Sequence, residues 1–596
     1  MATTPDTQNN TPTPISTRGF GSPKRLIALL FALVLIATAC SSAGNDFAAN
    51  DVADEVTDGA DAEDSFVESD DSADEPAAEA PADGLTDRPA RGDQEEQLVR
   101  DAVDAAAEAD DDGDDDAAEA NGAGLFGTVD PDELSEEPII NPRDSDPRFT
   151  DYGIRTFIDT RFDPLSTFSL DVDTGSYSIG RAFIEQGQLP PRESVRVEEY
   201  VNFFDYGYDA PRDGLDLEVD GGPSPFDDET WLVRVGVQAA EVEADERQPV
   251  ALTFVVDTSG SMNSPDRLGL VKESLSLLVE ELDRDDTVAI VTYSGNSDII
   301  LEPTEIRDRD DILDAIDRLE PGGSTNLQAG LDAGYELARD AFREDGVNRV
   351  IVASDGLANA GLTNADSLSD RLRRDADDGI GLVTVGYGLN GINDTTMEQL
   401  ADQSDGFYAY VDTIDEAERL FSTDLTSTLI TAAIDAKIQV AFDDEVVDSY
   451  RLIGYENRAV RDDDFRNDDV DAGELGAGHQ STAIYEVVFD RDVDIDDRAQ
   501  LGIVSLRWED PDTGEVIEID EDIDMRDLEA DWTDTTNSFQ QATVVAAFAE
   551  ILRDNPYADD VSLEALSQEV DSLARDIDTD EFDAFADLVE NAYDLS

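Results

Sequence analysis

The chain has 596 residues, with 40 lysines and arginines against 143 aspartates and glutamates, for a formal net charge of −103. Nucleic-acid binding by phosphate neutralisation and electrostatic docking on an anionic membrane both need clustered positive charge, so this composition argues against the first and rules out the second. One cysteine and one histidine are too few for a disulfide framework, a Cys/His zinc site or a Cys–His nucleophile pair, which leaves oxygen-ligand chemistry open.

Lysine occurs only at Lys24, Lys272 and Lys437, and about a quarter of all residues are carboxylates. Such acidity reads as adaptation to salt or selection for solubility, so a neighbouring pair of carboxylates is no sign of a glycosidase or a protease. At the N-terminus, Arg18, Lys24 and Arg25 precede the apolar run Leu26 to Ile36, followed by Ala37, Thr38, Ala39 and Cys40. The run is too short for a stop-transfer helix, and the order charged, apolar, small is that of a secretory signal. The placement of Cys40 resembles the bacterial lipobox, with Ala37 where leucine is commoner. That resemblance implies a signal peptide over residues 1–39 and a lipid on Cys40, hence an extracytoplasmic protein anchored to the membrane without spanning it.

Residues 40–145 read as a disordered acidic stalk. From Asn45 to Pro138 the composition is dominated by Asp, Glu, Ala, Gly and Ser, which cannot bury enough apolar surface to offset chain entropy. Glu108, Asp110, Asp112, Gly113 and Glu119 imitate a calcium-binding EF-hand loop, but Glu replaces the first Asp and no amphipathic helices flank it. Over residues 146–245 the pattern predicts a strand at Thr167 to Val172, helices at Ser178 to Gln186 and Arg196 to Phe204, and an alternating strand at Trp231 to Ala239. Asp171, Asp173 and Ser176 miss the spacing of a metal loop and read as structural.

Residues 246–428 alternate strand and helix. Val250 to Val256 is a continuous apolar run, as expected of a parallel strand buried on both faces. Strands at Thr287 to Thr292, Arg349 to Ala353, Gly381 to Val385 and Phe407 to Val411 alternate with helices at Arg267 to Leu282, Asp310 to Leu319, Leu327 to Phe342, Asp366 to Asp375 and Thr395 to Ala401. This order predicts an α/β fold with a doubly wound parallel sheet, whose site lies beyond the carboxyl ends of the strands. Three loops at that edge carry hard oxygen donors: Asp257, Ser259 and Ser261; Thr325 after Pro321 to Ser324; and Asp355. Two carboxylates and three hydroxyls suit a small hard cation such as magnesium, with manganese or calcium as alternatives.

Asp257-Thr258-Ser259-Gly260-Ser261, Gly322-Gly323-Ser324-Thr325 and Ser354-Asp355-Gly356, in this order and strand context, resemble the metal-ion-dependent adhesion site of von Willebrand factor type A domains. The resemblance implies that Ser259, Ser261 and Thr325 are hydroxyl ligands, that Asp257 and Asp355 bind directly or through water, and that the remaining position accepts a carboxylate from a partner protein. PLSTFSLDVDTGSYS and QGQLPPRESVRVEEYVNFF before this domain, and SYRLIGYENR and GELGAGHQSTAIYEV after it, are similar to bacterial surface lipoproteins carrying one such domain. The implied function is adhesion or protein binding without catalysis, with an envelope assembly scaffold as the alternative.

Segments Ile434 to Phe442, Ala483 to Phe489, Leu501 to Trp508 and Glu515 to Ile519 predict a β-rich module over residues 429–525, which the strand at Trp231 joins in one sandwich. Residues 526–596 read as helical, with apolar faces at Leu563, Leu566, Val570 and Leu573 and at Phe582, Phe585, Leu588, Val589 and Ala592. His479, in a glycine-rich approach to a strand, reads as a packing or hydrogen-bonding residue.

Overall fold

The computed structural model describes residues 149–596, apart from 228, 243–246, 357–370, 377, 390–391, 405, 425–428, 469, 492–498, 512 and 578. Cys40, the signal, the stalk and the EF-hand-like segment lie outside the described residues, as does the first half of the helix expected at Asp366 to Asp375; residues 371–376 are helical. Among the described residues no helix is long and apolar enough to cross a membrane.

The first flank contains β1 (Ile158–Asp159), β2 (Leu165–Ser169), α1 (Gly175–Glu185), α2 (Val197–Val201), β3 (Leu215–Pro223) and β4 (Trp231–Ala239). The central part contains β5 (Val250–Asp257), α3 (Leu270–Glu281), β6 (Thr287–Tyr293), β7 (Ser297–Glu305), α4 (Arg309–Asp317), α5 (Leu327–Asp340), β8 (Val347–Ser354), β9 (Gly381–Tyr387), α6 (Asp394–Asp402), β10 (Tyr408–Val411) and α7 (Ile414–Glu418). The second flank contains β11 (Thr431–Phe442), β12 (Val447–Ile453), β13 (Gly473–Gly476), β14 (Gln480–Phe489), β15 (Gln500–Glu509), β16 (Val516–Asp524), α8 (Asn537–Leu552), α9 (Leu563–Ile577) and α10 (Asp580–Leu595).

The central sheet runs β10-β9-β8-β5-β6-β7. Its first five strands are parallel, and β5, buried along its whole length, pairs with β6 on one side and β8 on the other. The sixth strand, β7, is an antiparallel edge that the sequence pattern did not predict. Its segment SDIILEPTE is polar at both ends and solvent-touched on both faces, so neither a continuous apolar run nor a clean alternation marks it. Helices cover both faces of the sheet, with one apolar core on each side. On α5, Gly334 lets the helix approach β5 so closely that a Cβ would overlap the Val255 side chain.

The two flanks fold together. One sheet runs β1-β12-β14-β4-β3 and a second runs β13-β11-β15-β16, with β2 also paired to β11. Strand β4, with the bounds expected from its alternation, pairs antiparallel with β14 of the other flank, bringing Val233 opposite Tyr485. Val233, Val235 and Tyr485 from the first sheet share a core with Ile438, Val440 and Val504 from the second, which makes the pair a sandwich. Strand β3, unmarked in the sequence pattern, forms a hairpin edge on β4. The C-terminal helices pack with α1 and α2 around Tyr177, Phe204, Phe548 and Phe585, so the helical tail and the first flank share one aromatic core. The expected helix at Arg196 to Phe204 shortens to α2: its aromatic residues Phe203 and Phe204 turn into that core instead of extending the helix. Helix α1 also packs on the central domain, where Ile179 joins Tyr408 and Tyr410 of β10 in one core.

Candidate metal centre

β5 ends in Asp257, which is fully buried, so its carboxylate must find partners inside the protein. Oδ1 accepts the Ser259 N–H at 2.7 Å and Oδ2 accepts the Ser354 hydroxyl at 3.1 Å. Ser354 is the last residue of β8, the parallel neighbour of β5. The adjacent strand ends therefore present Asp257 and Asp355 to the same space, and each carboxylate feels the other: burial pushes the Asp257 pKa up to about 7, the Ser259 hydrogen bond works against this and the charge of Asp355 adds to it.

The hydroxyl oxygens of Ser259 and Ser261 lie 2.9 Å apart. The loop bearing Thr325 is tied to this turn at two points: the Gly260 N–H donates to the Gly323 carbonyl at 3.2 Å, and the Gly322 N–H donates to the Thr258 carbonyl at 2.6 Å. Gly322 to Ser324 are exposed while Thr325 beneath them is buried. Asn326 then caps α5, its side chain accepting from the Ala329 N–H at 3.2 Å, so Thr325 sits one residue before a fixed helix start. Asp355 is followed by Gly356, whose φ of +80° is the left-handed conformation that a sharp turn requires.

The structure thus gathers all five sequence-predicted donors on three loops at the carboxyl edge of β5 and β8 and the start of α5. Three further residues belong to the same cluster. Arg267 donates to Asp355 and to the Ser261 carbonyl; Ser354 holds Asp257; and the hydroxyl of buried Tyr293 is held well above the ordinary phenol range by burial and by the charge of Asp257. A readable signal existed for Ser354, which precedes Asp355, but none for Arg267, whose pairing partner lies far along the chain. Tyr293 reads only as the end of an apolar strand.

The donor set fits a small hard cation. Its atoms are all oxygens, two hydroxyls already converge, and the guanidinium of Arg267 pairs with one of the two buried carboxylates. His479 takes no part: its Nδ1 accepts the Gly476 N–H at 3.2 Å and its ring meets Phe407 edge-on, the packing role expected of it.

Three family matches cover the described fold: "von Willebrand factor" at residues 143–234, "von Willebrand factor type A domain" at 251–423, and "Uncharacterized protein YfbK, C-terminal" at 427–595. Residues 251–423 are therefore a von Willebrand factor type A domain. The region that follows it matches the C-terminal model of YfbK. The chain is 40% identical over 333 residues to protein YfbK of Escherichia coli, covering 54% of this chain and 58% of that protein. It is 28% identical over 193 residues to protein sll0103 of Synechocystis, covering 32% and 44%. The chain thus spans about half the length of the curated relatives it matches. Among solved structures, a von Willebrand factor type A protein from Catenulispora acidiphila overlaps 63% of this chain and 88% of its own at 16% identity, with a TM-score of 0.37.

Proposed function

We propose that this protein is a lipid-anchored bacterial surface protein whose type A domain holds a magnesium ion and through it binds a carboxylate of a partner protein. Type A domains as a class mediate protein–protein interaction and adhesion; the finer reading rests on the donor cluster. The observation that carries it is the convergence of Asp257, Ser259, Ser261, Thr325 and Asp355 on three loops, all oxygen, at the edge of the sheet where ligands of such folds bind. Ser259, Ser261 and Thr325 are the hydroxyls that would hold the ion, Asp257 and Asp355 the carboxylates, and manganese or calcium could replace magnesium. Bound there, a divalent cation supplies an electrophilic position for a partner's carboxylate. The protein acts by binding, without a reaction of its own, and its tether is the lipid on Cys40.

Two measurements test this. Crosslinking on intact cells captures a partner in magnesium, and the capture is lost in chelator and with Thr325→Ala; capture indifferent to both sinks the metal-dependent reading. Recovery of a multi-subunit envelope complex would instead favour an assembly scaffold. Separately, Cys40→Ser releases the protein to the medium or leaves the precursor uncut, and a variant that stays with membranes as the mature protein does removes the anchor.

A further inference from the structure

Where the flanks meet the type A domain, buried negative charge exceeds buried positive charge. Asp171 and Asp173, just after β2, and Glu199 on α2 share two arginines with Asp394, Glu398 and Asp402 of α6. Arg196 pairs with Glu199, with Asp394 at 2.5 Å and with Glu398 at 3.8 Å. Arg458 pairs with Asp171 at 3.1 Å, Asp173 at 3.0 Å, Asp402 at 3.1 Å and Glu398 at 3.8 Å. Every one of these carboxylates except Asp402 is at most 3% exposed. Among the described residues, five buried carboxylates and the partly exposed Asp402 share these two guanidiniums, and charge left uncompensated in such a place is costly.

Asp171, Asp173 and Glu199 each offer one oxygen, and the three lie within 4.8 Å of one another. Three points so spaced always have a common point no more than about 2.8 Å from each, close to the 2.3–2.6 Å of calcium–oxygen bonds and further from the 2.0–2.1 Å of magnesium. The existing hydrogen bonds leave one oxygen of these three carboxylates without a donor among the described residues. Asp173 Oδ1 accepts the Tyr408 N–H at 2.9 Å and Oδ2 faces Arg458; Glu199 Oε2 accepts the Ser176 N–H at 2.7 Å and Oε1 faces Arg196; Asp171 Oδ1 accepts the Asp173 N–H at 3.1 Å and faces Arg458. Asp171 Oδ2 accepts nothing among the described residues, although its side chain is 2% exposed. A buried carboxylate oxygen without a donor is rare in a folded protein.

We propose that Asp171, Asp173 and Glu199 form a second divalent-cation site, of calcium class, independent of the donor cluster at Asp257. Arg458 supplies one positive charge to two aspartates and leaves Asp171 Oδ2 to the cation; carboxylate oxygens that already accept one N–H keep a lone pair for coordination. The site belongs to the first flank, yet Asp173 is fixed by the first residue of β10 and Arg458 comes from the second flank. An ion there fastens both flanks to the type A domain.

The test uses the full chain carrying Asp257→Ala, which removes the first site, in about 1 M sodium chloride to screen the acidic surface. Calcium should raise its melting temperature above that in chelator, and by more than equal magnesium does; adding Asp171→Asn should erase the difference. Hydrogen exchange in the Asp257→Ala chain gives a second readout that does not require Asp171→Asn to fold. With calcium at about ten times its dissociation constant, opening-limited exchange at residues 170–176 and 196–202 should slow about elevenfold. The proposal is overturned if exchange there ignores calcium, or if a folded Asp171→Asn variant keeps the full calcium response; protons would then be what balances the cluster.

Discussion

Arg267 donates through one nitrogen, Nη1, to Asp355 Oδ2 at 2.9 Å and to the Ser261 carbonyl at 2.6 Å. A positive charge is therefore built into the donor cluster beside a residue whose expected role is to serve a metal ion. Two buried carboxylates on adjacent strand ends repel each other, and this guanidinium offsets part of that repulsion when no ion is bound. Arg267→Gln should lower the melting temperature in chelator, since removing one partner of a buried pair costs about 3–5 kcal/mol. Magnesium should restore more stability to this variant than it adds to the wild type, because the cation then provides the missing charge. Equal losses with and without magnesium would leave Arg267 only a loop-shaping role.

The wild-type response to magnesium sets the scale for that comparison. A ligand that binds only the folded state adds about 2.7 kcal/mol at a hundred times its dissociation constant. At about 2–4 °C per kcal/mol, typical for a domain of 150–250 residues, the melting temperature rises by about 5–10 °C. Asp257→Ala should abolish the rise, as measured by calorimetry of the full chain. A rise of the same size in the variant would place the ion on the acidic surface.

The five proposed donors stand out in the sequence because local pattern carries them. Asp257 follows an apolar run long enough to be a buried parallel strand, and hydroxyls at two-residue spacing follow in the same turn. Arg267 does not, since its pairing with Asp355 joins positions 88 residues apart and leaves no periodic trace. The same holds for the junction cluster, where Arg458 reaches Asp171 across 287 residues. Strands β3 and β7 escaped for another reason: an edge strand is stabilised by its neighbour's hydrogen bonds, so its own sequence need not be apolar or alternating. By contrast, β4 was readable to the residue, and its clean alternation follows from one face packing into the sandwich core and the other toward the helices.

Gly356 follows Asp355 with φ of +80°, and a Cβ there would overlap the Asn393 backbone nitrogen. Gly356→Ala carries both a conformational cost of about 1–3 kcal/mol and a steric one. The outcome should be a lower melting temperature together with weaker magnesium binding, although all five donors remain. Titration calorimetry that finds unchanged magnesium affinity in a destabilised variant would separate the turn from the metal site.

His479 is the sole histidine, so its ring is a clean spectroscopic probe. Burial depresses its pKa to about 4, and the nearby Arg419 charge acts in the same direction. The Gly476 N–H on Nδ1 fixes the neutral tautomer with the proton on Nε2. A depressed folded pKa contributes stability that is present above the ordinary value near 6.5 and is lost as pH falls through about 4. In proton NMR of the untagged chain the ring signals should stay flat between pH 8 and about 5 and move only near pH 4. A midpoint near 6.5 would show the ring to be solvated, and the strand approach around it looser than the structure has it.

The net charge of −103 bears on how a partner offering a carboxylate can approach. At low ionic strength the long-range field opposes encounter with any acidic surface, even though the final contact is favourable. Such steering acts mainly on the association rate, and the screening length shrinks from about 30 Å at 0.01 M salt to about 8 Å at 0.15 M. Contact between a carboxylate and a cation held by Asp257, Ser259, Ser261, Thr325 and Asp355 is short-ranged and poorly screened. For an acidic partner at saturating magnesium, association should therefore accelerate over this salt range while dissociation changes little, and Thr325→Ala should lose binding throughout. Surface plasmon resonance with the captured partner measures both rates. Association that slows with salt would mean a basic partner reading the acidic surface, with the donor cluster a bystander to binding.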